Sequence, residues 1–196
     1  MSDNDYRFDN RTKKEFIKDI KQAHIKELEI AIRICIDKHE KDSKWPTLIP
    51  TGTDAMGDFV ESHKVVSDPD FYIEPDCVEI TCSNPICNKV FHQKVNKVTK
   101  CLEHEYALVF ANGLGQADPK YLYINATQLA TLTELSKATY GIKLHPTKNS
   151  GISNKEAYRY NISWFDEIEW HNLPEIDAKK IPSDYSKYLD LIHAKK

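Results

Sequence analysis

The chain lacks a long apolar run, a leader-like N-terminus and a glycine-rich phosphate loop, and each absence removes a class of protein. No stretch approaches the roughly 20 apolar residues needed to span a bilayer, so no membrane partner is expected. The opening residues, Met1-Ser2-Asp3-Asn4-Asp5, are polar and acidic and contain no signal-peptide core, which makes a cytoplasmic location the expectation. Five cysteines, an odd number in 196 residues, do not suggest a disulfide framework. Neither Gly-x-Ser-x-Gly nor a phosphate-binding glycine loop occurs. His63, His92, His145, His171 and His193 form no catalytic pattern, and there is no internal repeat or low-complexity segment.

What remains is a mixed composition, 40% hydrophobic, with a net charge of −3. That is enough apolar material for one core, and 1–196 reads as a single domain. Asp9 or Asn10 caps an expected helix over about 12–39, whose stripe is Ile17, Ile20, Ile25, Leu28, Ile32 and Ile36. Pro46, Pro50 and Gly52 mark 43–57 as loop. Strands are expected at 59–66, near 70–74 and at 77–82. A basic amphipathic helix over about 88–102 follows, with Val90, Phe91, Val95, Val98 and Leu102 inward. The apolar run at 106–110 reads as a buried central strand. The order over about 12–111 is therefore α-β-β-β-α-β, an α/β fold with a central mixed sheet and flanking helices. A C-terminal extension over about 112–196 adds a strand at 121–124, a helix at about 126–140, a polar loop through Gly151, a strand near 158–164, and loop with short helix from Pro174.

The densest chemistry lies in the hairpin at 68–82. Phe71, Ile73, Val78 and Ile80 alternate as the apolar face of two short strands joined by a Pro-containing turn of three to five residues. Glu79, between Val78 and Ile80, points to the opposite face. Asp70 at the start of the first strand comes close to Glu79 across the hairpin. Paired carboxylates repel unless a cation lies between them, and hard oxygen ligands of this kind suit Mg²⁺ or Mn²⁺.

Pro69-Asp70 followed by Glu79-Ile80-Thr81, in this order of elements, resembles the core of the PD-(D/E)XK nuclease superfamily, most closely a small type II restriction endonuclease. The resemblance covers about 58–111 and the preceding helix. It implies a Mg²⁺-dependent deoxyribonuclease, with Mn²⁺ able to substitute, that cuts double-stranded DNA as a homodimer. Asp70, Glu79 and the backbone carbonyl of Ile80 would hold the metal. Thr81 stands where the family has its lysine. Some members supply that lysine from the following helix, and Lys94 leads here as the third catalytic residue, with Lys89 and Lys97 behind it.

The segment 89–100 has four lysines and no acid, so Lys89, Lys97 and Lys100 suit phosphate contacts, as do Lys143 and Lys148 in a later loop that also carries His145, Lys155 and Arg159. Two alternatives stand beside this. Cys82-x4-Cys87 and Cys101-x2-His104 form a possible tetrahedral zinc set, which would make the chain a non-catalytic, zinc-stabilised nucleic-acid or protein-binding module. The loss of the lysine at Thr81 also admits an inactive nuclease fold.

Overall fold

A computed structural model describes residues 13–51, 68–83, 85–146 and 154–194. Helix α1 (Lys13–Asp42) runs three residues beyond its expected end. It buries Leu28, Ile32 and Cys35 against a sheet. Strand β1 (Leu48–Pro50) occupies part of the expected loop and pairs with β2 (Phe71–Ile73) on the sheet's edge. A proline at that edge removes no interior ladder bond. The strand expected at 59–66 lies outside the described residues.

β2 and β3 (Asp76–Ser83) form the expected hairpin, closed by Glu74 and the cis Pro75 alone and so tighter than the three to five residues expected. β5 (Ala107–Asn112) lies parallel to β3, β6 (Lys120–Ile124) antiparallel to β5, and β9 (Trp170–Asn172) beyond β6. The result is a six-stranded mixed sheet in the order β1-β2-β3-β5-β6-β9, flanked by helices, as the α/β reading requires. The C-terminal half is built into it: β6 and β9 complete the sheet, and α4 (Ser186–His193) packs on α1.

The segment between β3 and β5 departs from expectation. Residues 90–94 form strand β4 (Val90–Lys94), and helix α2 is confined to Val95–Glu103. The reason is legible afterwards. Phe91 and Gln93 are buried while His92 and Lys94 are exposed, a period of two that a helical reading had folded into its stripe. β4 pairs with β8 (Asn154–Asn161), and β8 with β7 (Lys143–Pro146), making a second, three-stranded sheet. The expected polar loop thus begins with a strand, and the strand expected near 158–164 starts at Asn154 and gives way to a 3-10 turn at Ile162–Phe165. Helix α3 (Ala126–Tyr140) falls where expected, fixed by a capping box between Asn125 and Gln128.

Two apolar cores lie on opposite faces of the large sheet. Ile80, Val109 and Tyr121 meet α1 and α4 on one face. Leu108, Phe110 and Leu122 meet α2, α3 and the small sheet on the other, where the Phe91 and Phe110 rings stack at 4.2 Å. The register Glu79↔Leu108 and Ile80↔Val109 puts Glu79 on the α2 face and Ile80 on the α1 face. No described helix is long and apolar enough to cross a membrane.

Candidate active site

Asp70 immediately precedes β2, and continuing the pairing Phe71↔Val78 by one residue sets it opposite Glu79. Its Oδ2 accepts the Ile80 N–H at 2.8 Å, which fixes the carboxylate against the β3 backbone. Glu79 is only 1% exposed. A buried carboxylate needs a compensating cation, and α2 supplies two.

Lys97 and Lys100 stand three residues apart and therefore on neighbouring turns of one helix face. Lys97 Nζ donates to Asp70 Oδ2 at 3.0 Å and to the Ile80 carbonyl at 2.5 Å, and lies 3.2 Å from Glu79 Oε2. Lys100 Nζ pairs with Glu79 Oε1 and donates to the Asp68 carbonyl at 2.9 Å. So the Lys97 ammonium rests where Asp70, Glu79 and the Ile80 carbonyl converge, the three groups assigned to a metal on sequence grounds.

A third carboxylate belongs to the cluster. Glu27 of α1 is half-buried, and its carboxyl is pushed up to about 8, chiefly by burial and then by Asp70 and Glu79, with Lys97 and Lys94 pulling the other way. Glu79 is also raised, by burial first and by Asp70, against the opposing charges of Lys97 and Lys100. Burial works against the charge on Lys97, but Asp70, Glu27 and Glu79 outweigh it and hold that ammonium above the ordinary lysine range. Burial and the neighbouring carboxylates thus favour the neutral form of Glu27 against the pull of Lys97 and Lys94.

The donor set suits a hard divalent cation in kind: two carboxylates and a carbonyl oxygen converge on one point, with a third carboxylate nearby. Among the described residues, no group of three or more His, Cys, Asp and Glu side chains gathers as around a metal ion, so the Asp70–Glu79 pair reaches three donors only through the Ile80 carbonyl.

The structure redistributes the lysines. Lys94 ends β4 and is the N-cap residue of α2, with an exposed side chain, and the lysine seated on Asp70 and Glu79 is Lys97. Lys97 and Lys100, expected on an outward phosphate-binding stripe, turn inward to the acids, with side chains 20% and 21% exposed. Lys89 is exposed just before β4, Lys143 begins β7, and Lys148 lies outside the described residues. Thr81, two residues after Glu79 and on its face, is half-buried and carries no lysine's charge.

The proposed zinc set is dispersed. Cys82 packs against the core on the α1 face, whereas Cys101 is buried in the core on the other. Cys87 donates its Sγ–H to the Val90 carbonyl at 3.3 Å, and His104 is exposed and stacked on Tyr106. Burial first, and then Glu79, push the Cys101 thiol up to about 12, away from the thiolate that zinc needs.

Sequence reasoning placed Lys97 behind Lys94 because it started the helix too early. With α2 starting at Val95, the buried Val98 and Cys101 mark the inner face, and Lys97 and Lys100 each precede one of them. Glu27 was missed altogether. Its signal was an acid on the line of His24, Ala31 and Ile34, all buried, where a solvated glutamate has no place.

Comparison with models of known protein families, with curated proteins and with solved structures found no match.

Proposed function

We propose that the protein is a metal-dependent endonuclease that hydrolyses phosphodiester bonds in double-stranded DNA. The observation that carries this reading is the convergence of Asp70, Glu79 and the Ile80 carbonyl on a single cation position, occupied here by Lys97. Clustered acids shifted by burial and by one another recur where chemistry is done.

Asp70 and Glu79, with the Ile80 carbonyl, would hold Mg²⁺ or Mn²⁺. Bound there, the ion would polarise a phosphoryl oxygen and lower the pKa of a coordinated water. Lys97 takes the part the resemblance gives to a lysine at Thr81: a fixed positive charge that stabilises the charge developing on the phosphate. Lys100 pairs with Glu79 and holds it in place. A homodimer is the economical assembly for cutting both strands.

The test is cleavage of plasmid DNA with Mg²⁺. Cutting should vanish in EDTA and in Asp70→Ala, and Ca²⁺, larger and looser in geometry, should support binding with little cutting. Retained cutting in an Asp70→Ala, Glu79→Ala double variant would overturn the site. A second reading, an inactive nuclease fold, is favoured by one specific observation: Lys97 already neutralises the two carboxylates a metal would bridge. Failure of Mg²⁺ or Mn²⁺ to raise the melting temperature would select it.

A further inference from the structure

We propose that the outer face of the β4-β8-β7 sheet is the surface on which the backbone of duplex DNA docks. This rests on the nuclease reading and adds to it where the substrate lies.

Two basic segments, one around 89–94 and one made of 143–146 with 154–159, are far apart in sequence and join in one sheet. Directly paired residues of an antiparallel ladder share a face. Phe91↔Tyr160 and Gln93↔Tyr158 turn inward and are buried. The alternate positions His92, Lys94 and Arg159 therefore lie on the other face, where His92 and Lys94 are exposed and Arg159 is half-buried. β7 continues the ladder through the pairs Lys143↔Ala157 and His145↔Lys155, so basic residue types occupy the strand positions beyond. Lys89 leads into the sheet, its carbonyl accepting the Ile162 N–H at 2.9 Å.

The sign of this surface is set by what it omits. β4 has no acid, and the acid of β8, Glu156, falls on the opposite alternation from Arg159. In a chain with net charge −3 the strand register places basic residue types on one alternation of this sheet, and their complement is a continuous polyanion. The face also ends in the right place. Lys94 is its last residue on β4 and the cap of α2, three positions before Lys97. A duplex lying on the sheet leads to the carboxylate cluster.

The experiment measures binding of a labelled duplex to the full chain in Ca²⁺, by fluorescence anisotropy across a salt series, alongside plasmid cleavage in Mg²⁺. In the Lys89→Ala, Lys94→Ala double variant, affinity should fall about tenfold or more, and the slope of log K against log salt should flatten by about 0.9 for each phosphate that is no longer neutralised. Both positions are exposed, so the fold should be unaffected, as an unchanged melting temperature checks. Arg159→Gln should weaken binding in the same way. If the wild type binds and cuts while both variants bind with unchanged slope, the surface is wrong and the catalytic reading stands. Binding without cutting leaves the surface intact and refutes the catalysis. Equal binding of a polyglutamate chain of matched charge would make this a site for acidic proteins and overturn the assignment, as would no binding of either.

Discussion

Helix α1 contributes to two clusters of charge, and they are built on opposite plans. Near its C-terminal end, Asp37 has one oxygen, Oδ2, shared by the Tyr121 hydroxyl at 2.7 Å and the Lys41 ammonium at 2.8 Å. Lys41 also meets His171 Nδ1 at 2.8 Å. One acid is matched to one cation and one phenol, and burial together with the Asp37 carboxylate keeps that phenol protonated well above its ordinary range. In the other cluster Asp70 and Glu79 pair with Lys97 and Lys100, while burial and those two carboxylates push Glu27 toward its neutral form against Lys97 and Lys94. The first arrangement is satisfied as it stands. The second holds one of its acids far from its ordinary charge state. Local conflict of this sort in an otherwise consistent structure is where a functional role is to be sought.

The contrast breaks most directly at Lys97. Lys97→Met removes the cation from two carboxylates at once, one of them fully buried, and should cost about 3–5 kcal/mol in EDTA, the scale for stranding a buried charge. Thermal melts in EDTA and in Mg²⁺ should show part of that loss recovered by the metal. Under the nuclease reading the cleavage rate should also fall by about 10²-fold or more, the usual loss for one electrostatic stabiliser. A Lys97→Met protein that melts normally in EDTA would make the cluster no more demanding than the Asp37 one.

Next in size is the response of the wild type to metal. A ligand that binds only the folded state stabilises it by about 2.7 kcal/mol at 100 times its Kd. Mg²⁺ should therefore raise the melting temperature of the wild type, and Asp70→Asn should abolish the rise. Asp37→Asn should leave it intact, because Asp37 belongs to the satisfied cluster.

These tests turn on residues that the sequence disclosed unequally. The hairpin was legible because strand periodicity and the Asp70–Glu79 spacing are local, and the apolar run at 106–110 disclosed β5 as a buried central strand. The α/β class came from the same local signals. The place of Lys97 was hidden because it depends on where one helix begins. Val90-Phe91-His92-Gln93-Lys94 fits a helical stripe almost as well as a strand, and what decides it is the partner β8, more than 60 residues away. Glu27 was hidden because a long helix rich in lysine and glutamate discloses its buried line only when the sheet is in place.

A pH-dependent effect separates the clusters through Glu27. Its folded pKa, about 8, lies above the ordinary 4.5. The unfolded chain therefore releases this proton first, so the group's contribution is fully present below pH 4.5 and is lost as pH rises to about 8. Glu27→Gln mimics the protonated form and has nothing to lose. In EDTA the variant and the wild type should melt alike near pH 4, and the variant should melt increasingly higher up to about pH 8, with a constant gap beyond. A gap that opens only below pH 5, or in the opposite direction, would show that Glu27 is ionised in the folded protein.

The smallest effect is expected where every group is matched. Tyr121→Phe removes one donor from Asp37 Oδ2 and leaves Lys41 in place. Deleting one hydrogen bond to a charged group costs about 1.5–3 kcal/mol when its partner is stranded, and less when another donor remains. The expected loss is about 1 kcal/mol. Lys41 is 47% exposed, so Lys41→Met should cost no more than about 1 kcal/mol, the range of solvent-screened pairs. Neither substitution should alter the metal-induced rise in melting temperature or the cleavage rate. If Tyr121→Phe instead suppressed the response to Mg²⁺, the two ends of α1 would be coupled through the sheet, and the satisfied cluster would be part of the site.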